Sequence, residues 1–399
     1  MGPLFGIRIA DFTQLYQGPL ATQVLSDMGA EIIKIEPPKG DFFRNWAIGD
    51  KYINGESISF MSVNRNKRSI VLDLKKEDGI KVAKEIIKNS DVVIENFRPG
   101  VMQRLGLGFE KLQEINPQII YCASSGYGTS GPYVDYPGQD LLIQAITGTM
   151  WLNGRLEDPP VAVGFGLADV TGGLHIVMGT LAAIIERQTS GQGQRVDVNL
   201  LNSQLTMLTH EVTYFANTKE SPIRPKANST GAYTGAPLGI YQVSDGYLVI
   251  AMMAISKLAK LVGATNLYEN HSTNDISQRG VIHAELESKF KSKCVDEWLP
   301  ILRAADVWCA QVKTFDQMIS DEQVLWNDMI KNIDHPLVGS LKIVGPSILF
   351  SRTKSEVRLP PPLLGQHSKA ILGELGYKED EISNFLETKS VLEYREKIA

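Results

Sequence analysis

The sequence predicts an α/β protein, with a Rossmann-like parallel sheet in a large domain and a smaller α+β domain. Three observations carry this expectation. The chain opens strand–helix–strand: Ile7–Ala10 is a short apolar run, Pro19–Met28 reads as a helix with proline in its first turn and Gly29 at its end, and Glu31–Ile35 is a second apolar run. The alternation continues through a strand at Ser69–Leu72, a helix at Lys76–Asn89, and strands at Asp91–Glu95 and Ile119–Ala123. A length of 399 residues exceeds one ordinary core and calls for two domains.

No Gly-x-Gly-x-x-Gly follows the first strand, so the expected sheet lacks the dinucleotide phosphate loop. After the strand ending at Glu95, Asn96–Gly106 reads as a turn opening a short helix. Loops past the carboxyl ends of parallel strands are where such sheets bind ligands, which sets Asn96, Phe97 and Arg104 beside one. The same pattern also fits a surface turn with a solvated arginine.

Two acidic residues stand at helix starts. Asp140 is in the N-cap place of a helix running toward Thr147. Asp169 opens the longest helical run, to about Gln188, apolar at Leu174, Val177, Met178, Leu181, Ile184 and Ile185, with Gly172, Gly173, Gly179, Ala182 and Ala183 on the other side. That distribution predicts a helix packed all round. Free N–H groups and the helix dipole predict an ionised Asp169. Residue pattern does not choose between Asp140 and Asp169 as a reacting carboxylate, and each also reads as a plain helix cap.

Further on come a strand at Arg195–Val198 and a helix at Leu200–Ala216. The polar, proline-bearing stretch Thr218–Gly235 marks a boundary near 220. A hairpin of Leu238–Val243 and Tyr247–Ala251 around Asp245-Gly246, with helices at Ala254–Leu261 and Val295–Ala304, makes the small domain. The expected division is 1–220 plus 326–399 for the large domain and 221–325 for the small one. The tail beyond Pro360-Pro361-Pro362 has no core of its own and is expected to dock on the large domain.

With 40 Lys+Arg against 45 Asp+Glu the net charge is −5, which points away from nucleic acid and polybasic membrane contacts and toward small-molecule partners. Three cysteines without Cys-x-x-Cys spacing fit neither a disulfide framework nor a zinc site, and the N-terminus lacks a secretory pattern. No stretch approaches the ~18 uncharged apolar residues of a membrane span. A cytoplasmic protein is expected. All 6 histidines lie at or after His175, and there is no His-Glu-x-x-His, nucleophile elbow or Walker loop, so carboxylate chemistry remains.

The segments Gly6–Thr13, Gly29–Glu36, Asn64–Ile70, Glu95–Gly100 and Thr189–Val198 resemble CoA-transferase family III, the group that includes formyl-CoA transferase and α-methylacyl-CoA racemase. Pro362–His367 resembles the family's C-terminal segment. The resemblance implies CoA transfer from an acyl-CoA donor to a carboxylic-acid acceptor, with the CoA thioester as substrate, no permanently bound cofactor, and an interlocked homodimer. It implies Asp169 as the covalent nucleophile, Asp140 as a nearby acidic residue of the active site, and oxyanion donors at Gly172 and Gly173.

By the same carry-over Asn96, Phe97 and Arg104 match CoA-holding residues, Lys67, Arg68 and Lys75 lie near its phosphates, and Leu15 and Leu72 belong with them. There are departures from formyl-CoA transferase. Tyr16 stands in place of a glutamine, Pro37 in place of an arginine, and Gly231, Gly235 and Gly239 replace a run of four glycines only in part. These argue against formate and oxalate as the acids. The alternative activity, 2-methylacyl-CoA racemisation, needs a histidine where this chain has Gln139, which has no proton to exchange near neutral pH. A non-catalytic CoA-binding homologue would lack Asp169.

Overall fold

The computed structural model describes residues 1–226, 231–267 and 276–394, so 227–230, within the expected excursion, lie outside the described residues. The chain divides into two compact units. One comprises Met1–Ile143, Gly166–Met207 and Glu322–Ala399, and the other Gln144–Phe165 and Leu208–Asp321. The second unit thus includes 144–165 and 208–220, segments that patterning assigns to the large domain.

The first unit is built on a seven-stranded sheet in the order Val391–Leu392, Lys67–Leu72, Glu31–Glu36, Arg8–Asp11, Val92–Glu95, Ile120–Ser125, Arg195–Asn199. Six strands are parallel, and Val391–Leu392 closes one edge antiparallel to Lys67–Leu72. Numbered along the chain, the parallel strands run 3-2-1-4-5-6. The order reverses between Arg8–Asp11 and Val92–Glu95, and the loops beyond their carboxyl ends flank a crevice.

Both faces of this sheet are covered, which is why its strands are near-continuous apolar runs. Alternate residues point to opposite faces. Ala10, Ile33, Val93 and Tyr121 pack with Val82, Ala83 and Ile86 of the Glu77–Lys88 helix and with Ile371 and Phe385 of the tail. Ile9, Ile32, Val92 and Ile120 pack with Ala21 and Leu25 of the Gln17–Asp27 helix and with Ile176, Val177, Ala183 and Ile184 of the Leu167–Ser190 helix.

Leu167–Ser190 departs from the expectation of a helix packed all round. It is long and apolar enough to cross a membrane by length and composition, yet half of its most apolar window is buried. The other face carries Leu174, Met178 and Ile185, which are 45%, 54% and 66% exposed. Its glycines serve the buried side. A β-carbon on Gly172 would stand 2.2 Å from Gln17 Nε2, and one on Gly173 2.9 Å from the Gln17 carbonyl oxygen. Glycine at both positions lets the Gln17–Asp27 helix approach this closely.

The helix expected over 200–216 is two helices, Leu200–Met207 and Thr209–Thr218. Ahead of the three prolines at 360–362 lies a hairpin, Ile330–His335 with Gly339–Val344, that patterning missed. In the second unit the expected hairpin is Gly239–Gln242 with Tyr247–Ile250, joined by a third antiparallel strand, Cys309–Gln311, too short to show alternation. Helices Ile255–Val262, Arg279–Phe290 and Val295–Ala304 bury Leu258, Leu286, Phe290 and Trp298 against Tyr241 and Leu248.

Candidate active site

The crevice at the strand-order reversal is lined by the turn after Asp11 and the turn after Glu95, and a single side chain ties them. Asn96 Oδ1 accepts the Gln14 N–H and Asn96 Nδ2 donates to the Gln14 carbonyl, each at 2.8 Å. The amide expected to meet CoA is therefore engaged by backbone.

Beneath the turn lies a buried ionic network. Asp11, Lys34 and Lys67 are fully buried; Lys34 Nζ pairs with Asp41 Oδ2 at 2.8 Å, and Lys67 Nζ lies 3.4 Å from Asp11 Oδ2. Burial works against the Asp11 carboxylate, but Lys67, Lys34 and the hydroxyls of Thr13 and Thr22 hold it below its ordinary range. Burial works against Glu36 as well, yet the bidentate Arg44 guanidinium, Lys34 and Ser69 bring it down to about 2.

Three of the residues expected at CoA have side chains that the structure buries or pairs. Lys67 is 0% exposed and donates to the Pro19 carbonyl and to Asn64 Oδ1, and burial lowers its ammonium to about 7 against the pull of Asp11. A lysine enclosed in this way cannot present its charge to a phosphate. Arg68 is taken by a bidentate pair with Glu374 and a 3.0 Å contact to Glu31. Leu72 has 0% exposure within the sheet core, because its strand position points inward. Lys75 is exposed. Leu15 is 45% exposed, with a left-handed backbone at φ 68.

Phe97 and Arg104 stand where the expected loop puts them. Arg104 is exposed at the end of the Val101–Arg104 helix, its Nη1 3.0 Å from where a β-carbon on Gly100 would be. Phe97 is half-buried and lines a cavity of about 190 Å³ with Glu95, Gly100, Gln103, Ser124 and Arg195. Burial pushes the Glu95 carboxyl up to about 7, although Phe97 N–H and the Tyr121 hydroxyl both donate to it. Glu95 was visible only as the last residue of a strand. A larger cavity, about 830 Å³, lies at the sheet edge by Val71, Val391 and Tyr394 and shares no lining residue with the carboxylates described next.

Those carboxylates meet at one helix start. Asp169 is the third residue of Leu167–Ser190, in its first turn rather than before it. Asp140 is 8% exposed and begins the Asp140–Ile146 helix, and its Oδ1 accepts the N–H of Ala168 at 2.7 Å. Asp140 thus caps, at Ala168 28 residues along the chain, the helix that carries Asp169. The first turn of the Asp140 helix closes on the carbonyl of exposed Gln139, which accepts from Leu142 and Ile143. Tyr16 completes the group. Its ring lies against Gly166, and burial, Asp169 and Asp140 raise its phenol above the ordinary range.

Asp169 is not the plainly ionised group that the helix dipole predicts. Burial, aided by the charge of Asp140, pushes its carboxyl up to about 7. A helix terminus contributes about 0.3–1 kcal/mol, less than the ~1.4 kcal/mol of one pKa unit, so desolvation wins. The glycines at 172 and 173 also lose their expected role. They lie more than a turn inside the helix, where backbone N–H groups bond within it, and the N–H groups near Asp169 belong instead to the first turn, residues 167–169.

What the arrangement can do is nucleophilic carboxylate chemistry, with a second carboxylate fixing the turn on which the first stands and a phenol beside both. Along nearly its whole length the chain is similar to known proteins. The family model described as "CoA-transferase family III" matches residues 4–368. The chain is 35% identical to succinyl-CoA:glutarate CoA-transferase of Mus musculus, over 97% of this chain and 89% of that protein. It is 36% identical to an acyl-CoA transferase of Fusarium pseudograminearum, over 97% and 88%. Among solved structures, a CAIB/BAIF family protein from Brucella suis superposes with a TM-score of 0.83 at 32% identity, covering 94% of this chain and 99% of that one.

Proposed function

The chain belongs to CoA-transferase family III, and on that premise we propose that it moves CoA from an acyl-CoA thioester to a carboxylic acid through covalent intermediates on Asp169. The observation that carries this reading is the shared helix start: Asp140 holds the Ala168 N–H, and Asp169 stands in the same first turn. In this mechanism an Asp169 oxygen adds to the thioester carbonyl and CoA thiolate leaves, giving a mixed anhydride. The thiolate then attacks the aspartyl carbonyl, releasing the donor acid and leaving an aspartyl-CoA thioester. The acceptor carboxylate then attacks the aspartyl carbonyl and expels CoA thiolate, giving an aspartyl–acceptor anhydride, and the thiolate attacks the acceptor carbonyl of that anhydride to form the new acyl-CoA and free the Asp169 carboxylate.

Succinyl-CoA is the proposed donor and a short dicarboxylic acid such as glutarate the proposed acceptor, by analogy with the relative from Mus musculus. Arg104 and Phe97 are the proposed CoA contacts, with Lys75 near the phosphates. The 45–66% exposed stripe of Leu174, Met178 and Ile185 supports the proposal of a homodimer in which a second copy covers it. Three free thiols are in keeping with a reducing, cytoplasmic setting.

The test is to incubate the protein with succinyl-CoA and no acceptor, and then to map added mass by peptide. A CoA adduct on the peptide containing Asp169, absent in Asp169→Ala, is expected, and glutaryl-CoA should appear when glutarate is added. An adduct that persists in Asp169→Ala would remove this residue from the mechanism.

A further inference from the structure

The turn that joins the first strand to the first helix is held at each residue by a side chain. Thr13 N–H donates to Asp11 Oδ1, and its carbonyl accepts from Lys34 Nζ, both at 2.8 Å. Both backbone groups of Gln14 are held by Asn96. Leu15 N–H donates to Asp41 Oδ1 at 3.0 Å. Asp11, Lys34 and Asp41 are all fully buried, so these anchors have no room to swing.

The held turn is strained, since Leu15 adopts φ 68, a region that leucine rarely enters. Strain of this kind persists only where the surroundings over-determine it, and such residues cluster at functional sites. What the turn delivers is Tyr16. Its ring carbons Cδ1 and Cε1 lie 3.2 and 3.3 Å from the point where a β-carbon on Gly166 would stand, and Asp169 Oδ2 lies 3.5 Å from the same point. Tyr16 precedes the Gln17–Asp27 helix without making a side-chain cap, and among the described residues no hydrogen bond engages its hydroxyl.

We propose that Tyr16 is a catalytic hydrogen-bond donor that binds the thioester oxygen while Asp169 adds to the carbonyl carbon. The proposal rests on the reading of Asp169 as nucleophile. As the bond from the Asp169 oxygen forms, the carbonyl π pair moves onto the thioester oxygen, which accepts from the Tyr16 hydroxyl. The pair then returns and the carbon–sulfur bond breaks, with its electrons leaving on CoA thiolate. No proton is transferred, and Tyr16 needs only to stay protonated, which burial and the two carboxylates favour. Asn96 is a positioning residue, acting through the turn.

Tyr16→Phe keeps the ring over Gly166 and removes only the hydroxyl. The experiment mixes each protein with saturating succinyl-CoA, quenches at intervals and follows the mass of the Asp169 peptide. We expect the same adduct in both, formed about 100-fold more slowly in Tyr16→Phe, with the KM for succinyl-CoA little changed. Asn96→Ser should slow the same step, and the double variant should be no slower than Tyr16→Phe alone, because both act through one hydroxyl. Equal rate constants in wild type and Tyr16→Phe, or a change in KM alone, would overturn the role of Tyr16 and leave Asp169 standing. A wild-type protein that gains no mass at Asp169 would instead overturn the nucleophile, and this proposal with it.

Discussion

Asp140 Oδ1 sits 2.7 Å from the backbone nitrogen of Ala168, so one buried carboxylate caps the turn on which a second carboxylate, Asp169, is mounted. The cap removes one N–H that would otherwise favour charge on Asp169, and it places a negative charge close by. Both effects disfavour the ionised nucleophile.

Burial of Asp169, with the charge of Asp140 beside it, makes stability depend on pH. Asp169 has a folded pKa of about 7 against an ordinary 3.8, so between these values the folded protein holds a proton that the unfolded chain has lost. Stability is therefore lost as pH rises from about 4 to about 7. Asp169→Asn removes this contribution, and its Tm advantage over wild type should grow between pH 5 and pH 8. Acylation of wild type should accelerate over the upper part of the same range as the carboxylate forms. A Tm difference that does not vary with pH would count against the raised pKa.

Lys67 and Arg104 separate structure from binding. Lys67→Met leaves Asp11 buried with less compensation, at an expected cost of about 3–5 kcal/mol in denaturant unfolding, while the KM for acyl-CoA of the folded fraction stays near wild type. Arg104→Ala is exposed and should leave stability within about 0.5 kcal/mol, but raise that KM about tenfold. Reversed effects would return Lys67 to the CoA site.

Gly172→Ala puts a β-carbon 2.2 Å from Gln17 Nε2, whose partner oxygen accepts from Ser124 at 3.0 Å. Alanine gains about 1 kcal/mol in helix propensity, and overpacking costs about 1–3 kcal/mol, so a net drop in Tm is expected. Gln17→Ala in the same chain should recover most of it. A higher Tm for Gly172→Ala alone would show that the two helices have room to spare.

Gln139 separates transferase from racemase. The racemase reaction needs proton-exchanging groups on both faces of the α-carbon, and Gln139 supplies none. A 2-methylacyl-CoA held with the enzyme in heavy water should keep its α-proton while CoA transfer to an acid proceeds. Rapid deuterium uptake, lost in Asp169→Asn, would contradict the transferase assignment.

Local chemistry was enough to read the alternation of strands and helices, the ordered segments that resemble the family, and the two acidic residues at helix starts. Apolar runs and turn residues act over a few positions, and each of these features is written within such a span. Even so, strand edges shifted by a residue or two, and the three-residue Cys309–Gln311 strand left no periodic trace.

The tertiary structure alone decided which groups meet. Gln14 and Asn96 are 82 residues apart, and they touch only because strand order reverses between the strands that precede them. Asp140 looked like the cap of its own helix and caps another, since nothing local specifies which backbone N–H a carboxylate will find. Lys67 carried the right charge for a phosphate but points into the protein, and Asp169 carried a helix dipole that burial outweighs. Charge type is a property of the residue. Solvation is a property of everything packed around it, and it set the chemistry of both.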